Sequence, residues 1–198
     1  MTKDALILPP YATCPPHGPA ALALARAVTN GLPRMLVNLW VEKGRGVLII
    51  DAGEVPRFEC GRFLWRDVQA NGALYLPPDC EPQAVWECVG MWLDHFAGSF
   101  GGRQPLSEGY GATPTLAESA TRFRKTIELD YASEILGTND PSLLFARAIA
   151  AYRLSPRALS AADPILTRWL RGTIFDEGFW RKVAKEACPQ PPNPPFWG

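Results

Sequence analysis

Cys88 and His95 are the two residues of this chain whose side chains most directly suggest catalysis. A thiol and an imidazole act as a nucleophile and its base when they lie within hydrogen-bonding distance. They are seven residues apart in a segment of helical periodicity, and on a helix that spacing corresponds to ~10 Å. We therefore expect Cys88 to pack in the core. We expect His95 to cap the C-terminal end of its helix, where a protonated imidazole is favoured.

Metal ligands are scarce in the sequence. The chain has two histidines, His17 and His95, and five cysteines without a C-x-x-C pair. Structural zinc normally takes four such ligands, and the spacing Cys14-Pro-Pro-His17 lacks a matching second half. The phosphate-loop pattern G-x-x-x-x-G-K-[ST] and the hydrolase pattern G-x-S-x-G are missing as well. The sequence thus predicts neither a metal ion nor a cofactor.

Charge and composition exclude two classes of partner. The chain of 198 residues has 20 Lys and Arg against 20 Asp and Glu, so its net charge is zero. A neutral chain has no general electrostatic attraction to nucleic acid or to an anionic membrane. No apolar run approaches the ~20 residues of a membrane-spanning helix, and no signal-peptide core follows Met1. The odd number of cysteines favours free thiols, and we expect a cytoplasmic protein.

The first half of the chain alternates predicted helices and strands. Residues 20–30 are rich in alanine and leucine and predict a helix that ends at Gly31, and a second helix begins at Pro33. The continuous apolar run Val47-Leu-Ile-Ile50 predicts a strand buried on both faces, as in a sheet covered by helices. Further short strands are predicted at 63–65 and 73–76.

The second half predicts helices only. A helix over 82–96 precedes a glycine-rich loop from Gly98 to Gly111. Thr113-Pro114 begins a long helix that ends at Gly137 and whose apolar stripe includes Tyr131 and Ile135. A capping residue followed by proline marks the start of three more helices, and a short helix comes last: Asp140-Pro141, Ser155-Pro156, Asp163-Pro164 and residues 175–187.

Two proline-rich segments flank one predicted domain. Residues 1–18 predict an extended N-terminal arm, residues 19–188 a single domain, and residues 189–198 a polyproline-like tail. The tail ends in the aromatic pair Phe196 and Trp197, which is typical of a docking peptide. The alternative is that the pair packs back onto its own domain.

The helix over 84–96, the glycine-rich loop and the helix after Asp140 follow one another in an order that resembles zincin-type metallopeptidases, in particular the small lethal-factor-like group. In that family a strand borders the substrate cleft. The next helix carries H-E-x-x-H and often runs into a Leu-Asp-His-like segment, and a later helix supplies the third zinc ligand. The residues that carry the resemblance are Gly90, Leu93-Asp94-His95, Asp140-Pro141, Phe145-Ala146 and Tyr152.

The resemblance spans roughly residues 20–170 and implies an α+β fold. A small sheet and helices would form the N-terminal half, and helices alone the C-terminal half. Alignment on Leu93-Asp94-His95 puts Glu87 and Met91 at the positions of the two zinc histidines, and Cys88 at that of the general-base glutamate. The resemblance therefore implies that the metal site has been lost.

The later helix departs from the family in the same way. The two positions that could hold the ligand glutamate are Leu143 and Arg147. A carboxylate and a thioether are poor zinc ligands together, and an arginine puts a positive charge where the cation would lie. We predict that Arg147 instead pairs with Glu87 across a vestigial cleft. The alternative is that Glu87 simply faces solvent. The resemblance implies that this cleft is formed by Glu87, Cys88, Met91, His95, Leu143, Arg147 and Tyr152.

These observations predict a catalytically inactive metallopeptidase-like domain that binds another protein, as a subunit, adaptor or inhibitor. The cleft beside strand 73–76 would take an extended peptide by strand addition, and the proline-rich arms would add contacts. Two alternatives remain open. One is a hydrolase with an atypical metal site or with Cys88 as its nucleophile. The other is a structural component of a multi-subunit particle, held together by self-assembly through its arms.

Overall fold

A mixed sheet packed against helices forms the N-terminal part of the fold, as the computed structural model shows. It describes residues 5–7, 19–44, 47–50, 55–65, 68–129 and 131–188. The strands of the described sheet are β1 (Ala5–Ile7), β2 (Val47–Ile50), β3 (Arg57–Trp65) and β4 (Val68–Leu76). The α+β class is therefore confirmed, and so are the three strands predicted at 47–50, 63–65 and 73–76.

The order of the strands is β1-β2-β4-β3. β2 runs parallel to β4, with Val47 opposite Ala73, whereas β1 and β3 are antiparallel to their neighbours. β4 is thus an inner strand that is paired along both edges. The prediction that the strand at 73–76 borders an open cleft and accepts a peptide by strand addition is wrong, because β2 and β3 already use its backbone hydrogen-bonding groups. Within the described sheet β3 is the edge strand on that side.

Helices make up most of the rest of the described chain. They are α1 (Pro19–Asn30), α2 (Arg34–Leu39), α3 (Pro82–Ser99), α4 (Pro114–Ile127), α5 (Ser133–Leu136), α6 (Pro141–Leu154), α7 (Pro156–Ala162), α8 (Pro164–Gly172) and α9 (Glu177–Ala187). A π-helical turn, Trp40–Gly44, continues α2, and a 3₁₀ turn, Leu106–Glu108, interrupts the glycine-rich loop.

Local capping chemistry fixes the starts of α4, α6 and α8. The side chains of Thr113, Asp140 and Asp163 each accept a hydrogen bond from a backbone N–H in the first turn, and proline follows each of them. Such a cap satisfies a donor that the helix itself leaves unpaired, and proline at the first position has no N–H to satisfy. The starts predicted at these positions are confirmed.

The long helix predicted from Pro114 to Gly137 is wrong beyond residue 127. The structure ends α4 at Ile127 and begins the one-turn helix α5 at Ser133. Tyr131 and Ile135, predicted on a buried stripe, are 58% and 56% exposed. The predicted loop also begins later than Gly98, because α3 continues to Ser99 and ends with Phe100 in the left-handed conformation.

The core is centred on α3. Trp92 packs against Trp40 and Phe96, with ring centroids 4.0 and 5.2 Å apart, and Phe96 also faces Trp180 of α9. A second aromatic cluster joins α4, α6 and α8 through Phe123, Phe145 and Trp169. Buried aromatic side chains of this size supply much of the apolar area that stabilises a domain. α3 is therefore held on one side by the sheet and on the other by helices of the C-terminal half.

The last helix also caps two earlier ones. Both carboxylate oxygens of Glu177 accept from the backbone N–H of Met35 at the start of α2, at 3.2 and 3.4 Å. Near the other end of α9, Glu186 accepts from the backbone N–H and the hydroxyl of Thr115 in the first turn of α4. These bonds hold the pKa of the Glu186 carboxyl below its usual value. α9 thus satisfies the N-terminal donors of helices far from it in sequence.

Several predictions on the terminal arms lie outside the described residues. This applies to the tail 189–198 with Phe196 and Trp197, and to residues 1–18 apart from β1, which forms an extended strand paired with β2. Among the described helices, none combines the length and the apolar character that crossing a membrane requires.

Candidate functional site

The crossing helices α3 and α6 carry the residues that the sequence assigned to the cleft, and of these Glu87 and Arg147 form an ion pair. The two helices touch backbone to backbone at Gly90. A Cβ atom at that position would lie 2.6 Å from Cα of Ala146 and 2.8 Å from its carbonyl oxygen. Real Cβ atoms do not approach so closely, so glycine is required there by space alone. The close contact aligns the polar residues on the two sides of it.

Glu87 and Arg147 meet on one side of the crossing. Nε of Arg147 lies 3.9 Å from Oε1 of Glu87, and their side chains are 33% and 25% exposed. Gln83, one turn earlier on α3, donates to the same carboxylate oxygen at 2.8 Å. Nη1 of Arg147 donates to the carbonyl oxygens of Leu136 and Gly137, so the guanidinium also closes the end of α5. The ion pair predicted across the vestigial cleft is confirmed as a contact between these two side chains.

A pocket of about 340 Å³ opens beside this ion pair, between α3, α5, α6 and α7. Its floor is apolar and includes the buried side chains of Leu136 and Leu159. Ile135 and Leu154 also line it, although 56% and 42% of their surfaces are exposed. Ligand pockets are mostly apolar with a few converging polar groups, and this one combines both features. We call it the α3/α6 pocket, with its lining Gln83, Glu87, Ile135, Leu136, Arg147, Ala151, Leu154, Ser155, Ala158 and Leu159.

Cys88 is not among the residues that line this pocket. Its side chain is 3% exposed and belongs to the hydrophobic core, which confirms the predicted packing. Burial, followed by the nearby Cys80 and Glu87, raises the pKa of the Cys88 thiol to about 12. The thiolate is the nucleophilic form, so a thiol with this pKa is almost entirely unreactive near neutral pH. The environment of Cys88 therefore argues against a role as nucleophile.

The other predicted cleft residues are spread along the crossing. His95 does not bond to the last turn of its helix as predicted. Its Nδ1 donates instead to the carbonyl oxygen of Gly102, at 2.9 Å, and so ties the following loop to α3. Tyr152 stacks on Phe175 with ring centroids 4.5 Å apart, away from the pocket lining. Met91 and Leu143 are half-buried and are also absent from that lining.

Asp94 is the polar residue of the crossing whose environment the sequence did not reveal. Its carboxylate is fully buried and accepts from the backbone N–H of Ser107 at 2.7 Å and from the Ser107 hydroxyl at 2.6 Å. That hydroxyl lies 2.9 Å from the hydroxyl of Ser142 on α6. Burial raises the pKa of Asp94 to about 6, although the hydrogen bonds from Ser107 oppose the rise. An acid directly after Trp92 and Leu93, in the apolar part of the helix, was the signal for such a buried network.

The donor set at the crossing does not resemble a zinc site. Within the described residues, no three His, Cys, Asp or Glu side chains are grouped closely enough to hold a metal ion. Of the residues that the resemblance aligns with zinc-ligand positions, Arg147 lies near Glu87, with Nε 3.9 Å from Oε1. The chemistry available there is charge pairing and hydrogen bonding by Glu87, Arg147 and Gln83.

Comparison with known proteins adds no relative. No protein-family model matches the chain, and neither curated proteins nor solved structures give a match. The resemblance to zincins therefore remains a proposal, which the geometry of the α3/α6 pocket has to support.

Proposed function

We propose that this protein is a catalytically inactive, metallopeptidase-like domain that binds another protein through the α3/α6 pocket. The observation that carries the proposal is the position of Arg147. Its guanidinium lies 3.9 Å from Glu87, the residue that the resemblance aligns with a zinc histidine. A positive charge fixed to the chain beside Glu87 disfavours a metal cation there. Such a pair links the two helices without a metal ion.

The surface around the pair supports a binding role. Ile135 and Leu154 expose large apolar side chains at the pocket, and Tyr131 and Leu129 expose theirs in the turn that precedes α5. Apolar side chains that are grouped around a concave, partly polar site are characteristic of protein and ligand contacts. The high pKa of the buried Cys88 thiol favours this role over the alternative of a cysteine hydrolase.

Filling the pocket tests the proposal. Ala158 lines the α3/α6 pocket from α7, so an Ala158→Arg variant places a long charged side chain in it. Ser160 lies on the same short helix, is exposed and does not line the pocket, so Ser160→Arg is the matched control. Each full-length chain is immobilised, and the proteins that it retains from an extract of the cells that make it are quantified. We expect one partner to be retained in stoichiometric amount by the wild type and the control, and to be lost with Ala158→Arg.

Two further measurements on the purified wild type bear on the lost metal site. Metal content is determined by mass spectrometry on protein prepared without chelator, and hydrolysis is assayed on a mixed peptide library. We expect no stoichiometric zinc and no cleavage. About one zinc per chain, or cleavage that Glu87→Gln abolishes, would overturn the proposal in favour of an enzyme. Equal retention of every protein by the wild type and Ala158→Arg would show that the α3/α6 pocket is not part of the binding surface.

A further inference from the structure

We propose that the α3/α6 pocket selects an uncharged amide attached to an apolar side chain, and hence an internal segment of a partner polypeptide rather than one of its charged ends. This inference rests on the proposed function, because it specifies which part of a protein partner enters the pocket. It follows from the size of the pocket, from its lining, which is apolar in one half and polar in the other, and from the pairing of Glu87 with Arg147.

The size and floor of the pocket fit one apolar side chain. Its volume of about 340 Å³ lies at the lower end of the range of ~300–1,000 Å³ that is typical of ligand sites. Leu136 and Leu159 provide a buried aliphatic floor, and the small side chains of Ala151 and Ala158 line the rest of it without filling the space. A leucine- or phenylalanine-sized group with its flanking amides therefore fits, whereas a folded element does not.

The polar half of the pocket offers acceptor capacity on Glu87 and donor capacity on Arg147. Within the described part of the chain, Gln83 donates to Oε1 of Glu87 and Arg147 lies nearest to the same atom, and no hydrogen bond involves Oε2. Likewise, among the described residues the hydrogen bonds of Arg147 start from Nη1, and none involves Nη2; Nε, at 3.9 Å from Oε1, is beyond hydrogen-bonding distance. An amide has one N–H side and one C=O side, so it can donate to Glu87 and accept from Arg147 at once.

The two charges also disfavour charged ligands. A carboxylate attracted by Arg147 comes close to Glu87, and an ammonium attracted by Glu87 comes close to Arg147. Both side chains are at least two-thirds buried, so water screens these repulsions less than it does at an open surface. A neutral amide avoids both repulsions and leaves the ion pair intact.

Three small probes that share a leucine side chain test this selectivity. They are N-acetyl-leucinamide, which is neutral, N-acetyl-leucine, which is an anion, and leucinamide, which is a cation at neutral pH. Binding to the full-length chain is followed by amide NMR shifts of the pocket residues during titration. We expect the neutral probe to bind about tenfold more tightly than either charged one, since a hydrogen bond to a charged group is worth about that factor.

Removal of one charge should change the order of the three probes. In Glu87→Gln the uncompensated Arg147 should make the anionic probe the best ligand, while the amide of the new side chain can still bond to Gln83. Ser160→Arg, outside the pocket, should retain the wild-type order. An inverted order in Glu87→Gln cannot result from loss of folding, because an unfolded chain would bind none of the probes in this pocket.

Three outcomes would overturn the inference: no shift at the pocket with any probe, a charged probe that binds the wild type as tightly as the neutral one, or an unchanged order in Glu87→Gln. The proposed function fails separately. Partner retention that depends on Ala158, without amide selectivity, would overturn the inference and leave the binding role intact. Amide selectivity in a chain that carries zinc and cleaves peptides would leave the inference intact and overturn the proposal that the domain is catalytically inactive.

Discussion

The two sides of the α3–α6 crossing both place polar side chains between helices, but they differ in burial and in how completely these side chains are hydrogen-bonded. On one side, Asp94 is fully buried and each of its carboxylate oxygens accepts a bond of 2.6–2.7 Å from Ser107, which in turn contacts Ser142. On the other side, Glu87 and Arg147 are partly exposed, approach to only 3.9 Å, and open into a pocket. Both pairs of contacts link polar groups across helices, and between them lies the tight contact of Gly90 with Ala146.

The difference separates a structural role from a binding role. A buried carboxylate without partners is costly, so the Asp94 network has to be complete and leaves nothing for a ligand. The Glu87–Arg147 pair stays near water, contributes little to stability, and retains hydrogen-bonding capacity toward the pocket. We call the side with Asp94 the closed side and the side with the Glu87–Arg147 pair the open side. We therefore expect the loss of stability to be largest for a variant at the Gly90–Ala146 contact, smaller for variants on the closed side, and smallest for a variant on the open side.

Gly90→Ala should have the largest effect, because it breaks the contact on which both sides depend. The added methyl group meets the backbone of Ala146 at 2.6 Å, which can be relieved only if α6 moves away from α3. We expect a loss of about 3 kcal/mol in the free energy of unfolding, measured by chemical denaturation.

Gly172→Ala is the matched control for that experiment. A Cβ at Gly172, the last residue of α8, meets no atom within 4 Å, and the backbone there does not require glycine. Its stability should change by less than about 1 kcal/mol, in the stabilising direction. Equal effects of the two substitutions would show that the crossing is not tightly packed.

The closed side should make stability depend on pH through Asp94. Because burial raises the pKa of Asp94 from 3.8 to about 6, the folded protein keeps this proton to a higher pH than the unfolded chain does. The stability due to Asp94 is thus fully present below pH 3.8 and decreases as the pH rises toward 6. Relative to Asp94→Asn, the wild type should lose about 2 kcal/mol of unfolding free energy between about pH 4 and pH 7.

The comparison with Asp94→Asn cancels the titration of groups that both chains share. Denaturation curves are recorded at intervals across this range, and the difference between the two chains is plotted against pH. A difference that stays constant, or that grows in favour of the wild type with rising pH, would contradict a raised pKa for Asp94.

Ser142→Ala should have a smaller effect on the same side. It removes the hydroxyl that lies 2.9 Å from the Ser107 hydroxyl but leaves both bonds to Asp94 in place. A loss of about 1 kcal/mol is expected from denaturant unfolding, as for one ordinary hydrogen bond. Ser160→Ala, at an exposed position on α7, serves as the control and should lie within about 0.5 kcal/mol of the wild type.

Glu87→Gln should have the smallest effect on stability. The ion pair is long and partly exposed, and Gln83 can still donate to the new side-chain oxygen. We expect a change of no more than about 0.5 kcal/mol, which becomes smaller still when salt is added. A loss as large as that of Ser142→Ala would mean that the open side is also built for stability, and the contrast between the two sides would disappear.

Local chemistry explains which parts of the fold the sequence could predict. The helices that begin after Thr113, Asp140 and Asp163 were predictable because the cap and the proline lie within four residues of the bonds they determine. The apolar run of β2 was predictable for a similar reason. In contrast, the order of strands in the sheet depends on pairing between distant segments, so the inner position of β4 could not be derived from its own residues.

The site shows the same division. The Glu87–Arg147 contact was predicted because the resemblance fixed the register of two helices relative to each other. The buried hydrogen-bond network of Asp94 was not predicted, because its partners are distant in sequence. Ser107 is 13 residues away, and Ser142 is another 35 residues on, in a different helix. Tyr131 and Ile135 continued an apolar periodicity past residue 127 that the backbone does not follow, and their exposure follows from that break.

The two caps donated by α9 have a consequence for how the chain folds during its synthesis. The ribosome makes α9 last among the described elements, yet Glu177 and Glu186 complete the starts of α2 and α4. Trp180 of the same helix fills the core beside Phe96. A nascent chain that has not yet released residue 186 therefore holds two uncapped helices and an open core. Its fold is completed only after α9 has left the ribosome, and until then the exposed core favours aggregation.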